Sequence, residues 1–297
     1  IEHGRVFALG ATGILNCLNA TTGRKVWSVN ILKTNNVTNR LFGMAGSPLV
    51  INGLVVVSPG GQGNSLVAYD QETGARVWAG GNADASYSSP QFAPLGSGNQ
   101  ILNFNAEGLF SHDAASGRVL WSYPWVSNPA EKNNVCQPVP FPSGSTGQND
   151  RVLVSSGYDM GSALFEITKT DRQFKVKVCW NNRNLKSKFS SLVVRNGFVY
   201  GFDNGILTCI ELETGHRKWK RGRYGHGQLI LVDDVLLIQM EQGEVVLVDA
   251  SPQAHRELAR FQALDHRTWN HPVLSGNLLL VRNDREAACY ELVVDPK

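Results

Sequence analysis

The 297-residue sequence predicts an all-β fold, a β-propeller of four-stranded antiparallel blades, and three observations carry that prediction. Helical periodicity is nearly absent, while short β-rich runs alternate with Gly, Asn and Asp at the spacing of an all-β chain. A decapeptide recurs: LNATTGRKVW at 18–27 returns as YDQETGARVW at 69–78, HDAASGRVLW at 112–121 and IELETGHRKW at 210–219. Trp27, Trp78, Trp121, Trp180 and Trp219 stand 51, 43, 59 and 39 residues apart. A period of about 40–50 residues with four strands per unit marks propeller blades.

Each repeat can be justified strand by strand. Strands A and B form a hairpin, as in SPLVINGLVVVSP (47–59), SSLVVRNGFVYGF (190–202), QLILVDDVLLIQM (228–240) and HPVLSGNLLLVRN (271–283). Asn52–Gly53 and Asn196–Gly197 suit a tight turn whose two central residues must tolerate positive φ. Strand C is of the SLVAYD type, and strand D carries the tryptophan. Between C and D, an Asn, Asp or Glu side chain can cap the turn while Gly takes the left-handed conformation. The indole can then cover the seam with the next blade, an aromatic burial worth about 4–6 kcal/mol at most.

Seven repeats fall at about 1–29, 46–79, 88–122, 135–181, 189–220, 227–262 and 270–294, within one domain spanning 1–297. The first opens at strand B and the last stops after strand C. The expectation is therefore an eight-bladed ring lacking its N-terminal part.

Composition narrows the function classes. Hydrophobic content of 42% and charged content of 18% are globular, and a net charge of +3 is too weak to imply nucleic acid. No run of about 18 apolar residues suggests a membrane span. Five cysteines make no disulfide framework. Cys17, Cys209 and Cys289 occupy a strand C position filled elsewhere by Ala68 and Ser111, which reads as a small-residue packing slot. Cys136 and Cys179 are the pair that could meet within the fourth repeat. The seven histidines show no metal-ligand spacing. SPGGQGNS (58–65) is glycine-rich but joins strand to strand, so no helix N-terminus is there to hold phosphate.

In an A–B–C–D meander the D–A and B–C loops share one face and strand A lines the channel. The candidate channel-mouth residues are Ser47, Tyr87, Ser88, Ser89, Gln137, Ser190, Tyr224, His226, Asn270 and His271. They serve either to cap strand ends and hold water, or to bind a small molecule or a peptide terminus. A basic sector also falls on this face. HRKWKRGRYGHG (216–227) brings Arg221 and Arg223, and neighbouring D–A loops bring Arg183, Lys186, Lys188 and Arg267. Such a sector suits an acidic peptide, a polysaccharide or anionic lipid headgroups. Asp159, Asp203, Glu241, Asp284 and Glu286 on the B–C loops would offset part of it, leaving a solvated rim as the other reading.

The A-x-D-xx-TG-xxx-W pattern resembles the tryptophan-docking repeat of the PQQ-type (quinoprotein-like) β-propellers, and the chain is similar to their BamB-like bacterial members. The five docking tryptophans, Trp27, Trp78, Trp121, Trp180 and Trp219, carry that likeness. For a quinoprotein dehydrogenase the resemblance would imply a vicinal Cys–Cys pair, Glu and Asn ligands for calcium, and a catalytic Asp. The sequence has no Cys–Cys pair and no evident cluster of channel-mouth carboxylates, so no cofactor or metal is expected. The resemblance implies a non-enzymatic scaffold of the bacterial periplasm or cell envelope. It would recognise a protein or anionic polymer on the D–A/B–C face and reach the membrane through an upstream anchor. The alternative is a small-molecule-binding or PQQ-dependent oxidoreductase-like protein using the channel.

Overall fold

The computed structural model describes residues 1–96, 98–127, 130, 132–143, 149–171 and 173–292. Seven antiparallel meander sheets follow one another along the chain, and the fold is an all-β propeller. The first sheet holds Arg5–Leu9, Ile14–Asn19 and Lys25–Asn30, corresponding to strands B, C and D. The second, Leu49–Ile51, Leu54–Val57, Leu66–Asp70 and Arg76–Gly80, is the full A–B–C–D unit. Four-stranded sheets continue from Gln91–Leu95, Val139–Phe141, Val193–Arg195 and Gln228–Val232. The seventh holds Val273–Ser275, Leu278–Arg282 and Ala287–Glu291, corresponding to A, B and C. A short helix, Ile31–Thr34, follows the first sheet.

The chain divides into two compact units, residues 1–154 with 165–179, and residues 155–164 with 180–297. The first is built around Leu15, Ile31, Val55, Val57, Val67 and Tyr69, and further around Val56, Ala68, Trp78 and Ile101. The second is built around Tyr200, Phe202, Leu236, Ile238 and Val246, and further around Leu237, Val245, Leu279 and Val281.

The predicted turns form for the predicted reasons. Asn52 and Gly53 have φ of 50° and 76°, and Asn196 and Gly197 have 48° and 79°. In the C–D turns, Asn19 Oδ1 accepts from the backbone N–H groups of Thr21 and Thr22 at 3.1 and 2.8 Å. Asp70 does the same for Glu72 and Thr73 at 3.1 and 2.8 Å. Strand D then bulges, with a register break between Cys17 and Leu18, Ala68 and Tyr69, and Cys209 and Ile210. The bulge adds one residue to strand D, and in the first two sheets that residue is the exposed Val26 or Val77.

The indoles land on the following sheet's turn. Trp27 Nε1 donates to Gln71 O at 3.0 Å, and its ring leaves no room for a Cβ on Gly74. Trp78 lies the same way against Gly117. In the second unit Trp180 donates to Leu212 O at 2.8 Å beside Gly215, and Trp219 donates to Ser251 O at 3.0 Å. Trp121 differs: its Nε1 donates to Gln100 Oε1 of its own sheet at 2.9 Å. Gly74, Gly117 and Gly215 are thus needed for their positive φ and again for the close approach of the ring.

Directly across the ladder from these rings, Cys17, Ala68, Ser111 and Cys209 are fully buried. Burial pushes the Cys209 thiol up to about 12, which keeps it protonated and inert. Cys289 departs from this pattern and is exposed, as are Val273 and Leu280 beside it in register. Among the described residues nothing in the second unit covers that face of the last sheet, so the slot lies open there.

Candidate functional site

The D–A and B–C loops of the first unit enclose a cavity of about 540 Å³. Its main wall is the long connection between the first two sheets. Asn30 caps the short helix, accepting from Leu32 N–H at 3.1 Å and Lys33 N–H at 2.9 Å, and Ile31 and Leu32 are buried. Asn35 fixes the stem by donating to Ile31 O at 2.7 Å and to Tyr69 Oη at 2.8 Å. Further on, Gly43 N–H closes a turn on Arg40 O at 3.0 Å, with Gly43 at φ 78°. That turn leaves Leu41 81% and Phe42 68% exposed.

Tyr87 ties this turn to the neighbouring loop. Its ring centroid lies 6.1 Å from that of Phe42, and the Arg40 guanidinium stands 5.2 Å above it. The remaining lining is mostly neutral and polar, including Asn36, Thr38, Asn39, Gln62 and Asn133, with Asp84 the one carboxylate among its described residues. The glycine-rich B–C loop forms the floor. Its N–H groups are committed internally: Gly60 to Asn64 O, Gly61 to Ala83 O and Gly63 to Asn82 Oδ1. No cradle for phosphate is left. Gly60 is a glycine because a Cβ there would lie 2.2 Å from Ala85 N.

The second unit's loops carry rings and charge. Phe189, His226 and Trp269 stand in the D–A connections that lead into three successive A strands, and the Phe189 ring meets the other two edge-on at 5.2 and 5.5 Å. Gln228 joins their loops by donating to Phe189 O at 3.2 Å and Trp269 O at 3.1 Å. Lys188 Nζ lies 5.1 Å from both the Tyr158 and Phe189 centroids, and Arg267 lies 5.2 Å above Trp269. The Trp269 indole N–H donates to Glu241 Oε1 at 2.9 Å, and His226 N–H donates to Glu241 Oε2 at 3.0 Å. Burial raises the Glu241 pKa, but these hydrogen bonds and the charges of His226 and Arg267 outweigh it and hold the carboxyl below its ordinary range. Burial keeps the His226 ring below the usual histidine range, against the pull of Glu241 and with help from Lys188.

The expected carboxylates partly offset the basic sector. Asp203 is buried between Lys186 at 2.9 Å and Lys220 at 2.6 Å. Arg183, Arg221, Arg223 and Arg267 are exposed, and Lys188 is half-buried.

The candidate serines hold backbone. Ser47 N–H donates to Ser89 Oγ at 2.8 Å, Ser88 Oγ to Cys136 O at 3.2 Å, and Ser190 O accepts from Ser187 Oγ at 2.6 Å. Gln137 and Asn270 are half-buried and His271 is exposed. Tyr224 is not part of the group that forms around Phe189. It is buried, donating to Glu257 Oε1 at 2.7 Å and lying 2.7 Å from His255 Nε2, so the next sheet's C–D turn and D strand claim its hydroxyl. Sequence reasoning missed Arg40, Leu41, Phe42, Tyr158, Phe189 and Trp269. An apolar Leu-Phe pair inside a polar loop was the available signal for the first group. Phe189 and Trp269 each stand one residue before a chosen candidate.

The carboxylate-bearing donor set that the resemblance would imply for calcium is not assembled among the described residues. The cysteines are scattered along the chain, and no three His, Cys, Asp or Glu side chains among the described residues converge as metal ligands. Nor is any described helix long and apolar enough to cross a membrane.

Meander blades, capped C–D turns and docked indoles define the class: a β-propeller of PQQ-like repeats. The family described as outer membrane protein assembly factor BamB matches residues 1–221, and the chain belongs to it. BamB of Moranella endobia (strain PCIT) is 20% identical over 289 residues, which cover 95% of this chain and 71% of that protein. A 105-residue stretch, 34% of this chain, is 32% identical to the quinohemoprotein alcohol dehydrogenase ADH-IIG of Pseudomonas putida but spans only 14% of that enzyme. The crystal structure of BamB from Moraxella catarrhalis matches with a TM-score of 0.67 at 16% identity, over 96% of this chain and 78% of that one. At that identity the structural likeness shows the fold alone.

Proposed function

We propose that this chain is a non-enzymatic scaffold of the bacterial cell envelope that holds a protein partner on its D–A and B–C loops. Membership of the BamB family supports a role in outer membrane protein assembly. The observation that carries the reading is the Leu41–Phe42 pair, largely exposed on an anchored turn at the edge of a neutral, amide-lined cavity. Large apolar side chains kept in water by a fixed backbone mark interaction surfaces, and Asn and Gln side chains can satisfy a partner's peptide groups. A photo-crosslinking residue at position 42, in bacteria expressing the chain, tests this. A discrete adduct with one envelope protein is expected, with none from position 214 on an exposed C–D turn. The same adducts from both positions, or dye reduction by the purified chain after adding PQQ and calcium, would overturn the proposal.

A further inference from the structure

Five cations of the second unit, Arg183, Lys188 and Arg267 on its D–A loops and Arg221 and Arg223 at the end of the D strand Arg217–Arg223 rather than in the loop the sequence suggested, form no ion pair with any carboxylate among the described residues. Two of them are pre-positioned by rings, Lys188 between Tyr158 and Phe189 and Arg267 on Trp269. A guanidinium or ammonium whose stem is already ordered loses less freedom on meeting an anion, so it selects for one. Trp269 remains 46% exposed although Glu241 fixes its plane, which leaves apolar surface beside the two charges.

The acids in the cluster are already engaged. Asp203 is shared by Lys186 and Lys220, and Glu241 accepts from Trp269 and His226. Fixed negative charges nonetheless remain among the positive ones. A uniformly anionic surface or polymer would press its charges against Glu241 and the exposed Asp159, whereas a peptide can place its carboxylates singly and lay apolar side chains on the rings between them.

We infer that the cluster of Lys188, Phe189, Trp269 and Arg267 is a docking site for an acidic, apolar-interleaved segment of a protein partner. From the function proposed above, this takes only that the loops are the recognition surface.

The test is binding of a labelled synthetic peptide alternating Glu with Leu and Phe, followed by fluorescence anisotropy with the whole chain. Its Glu→Gln counterpart, polyphosphate, and phosphatidylcholine vesicles containing phosphatidylglycerol serve as comparators. The acidic peptide is expected to bind in a salt-sensitive manner and to lose about tenfold or more with Lys188→Glu/Arg267→Glu. Lys177→Glu, a charge reversal at an exposed position on a D strand of the first unit, should leave its affinity unchanged. Lys188→Gln/Arg267→Gln, expected to show a smaller loss, decides the matter if the reversal variant does not fold.

No binding, equal binding of the Gln peptide, an unchanged affinity in both cation variants, or tighter binding of polyphosphate or vesicles would overturn the inference. Peptide binding without an adduct at position 42 would defeat the scaffold proposal alone. An adduct at position 42 without peptide binding would defeat this inference alone.

Discussion

The first unit's loops keep their apolar side chains in water and their charges few; the second unit's loops use their rings to hold cations. Both are built on the same strand A starts and the same C–D turns, so the difference lies in what each D–A connection carries. In the first unit a long connection folds on itself and holds out Leu41 and Phe42 beside an amide-lined cavity. In the second, short connections bring His226 and Trp269 against Phe189, and Lys188 and Arg267 settle on Phe189 and Trp269. A repeat scaffold of this kind leaves the chemistry of recognition to loop length and loop composition.

The comparison can be tested first through what the units share. Trp78→Ala, which empties a buried seam in the first unit, should cost about 3–5 kcal/mol in urea unfolding. Trp219→Ala in the second should cost less, because that ring is only half-buried. Equal losses would break the link between ring burial and seam strength. Gly117→Ala should cost about 1–2 kcal/mol for its φ of 73° alone and more because its Cβ would enter the Trp78 ring. Gly53→Ala, with positive φ but open space around it, should show only the backbone part.

Proton linkage separates two particular groups. His112 in the first unit is buried with Nδ1 2.8 Å from Gly117 O. Burial pulls its pKa below 6.5, and the Gly117 carbonyl only partly restores it. The unfolded chain therefore takes up a proton that the folded one refuses, and stability falls as pH drops below 6.5. His112→Gln should remove that part of the slope. Glu241 in the second unit has a depressed folded value, so its contribution is complete above 4.5 and is lost as pH falls through the folded value. Glu241→Gln should flatten stability only in that more acidic range. Unfolding midpoints measured across pH check both. The smallest expected effect is that of Leu41→Ala/Phe42→Ala on stability, within about 0.5 kcal/mol for such exposed side chains. A larger loss would mean that the pair belongs to the fold rather than to a partner.

The repeat was legible because its parts are type-specific: only Gly suits a positive φ under an indole, and an Asn, Asp or Glu side-chain oxygen holds the turn before it. Asn52–Gly53 and the small slot at Cys17, Ala68 and Cys209 followed from the same local logic. What lay beyond reach depended on which loop closes on which. Nothing local shows that Gly43 would bend back on Arg40 and strand Leu41 and Phe42 in water. Charge counting placed Lys186 with the other cations, and only the packed loops show that Asp203 takes both Lys186 and Lys220. Tyr224 was drawn away by Glu257, a partner from another strand that no sequence spacing reveals.

Because Trp27, Trp78, Trp180 and Trp219 each close on the turn of the module after their own, the joint between modules is written in two short, portable pieces of sequence. Copying or deleting a whole module then regenerates a working joint wherever the ends meet. Such a lineage can change its number of modules by recombination without first inventing a new interior.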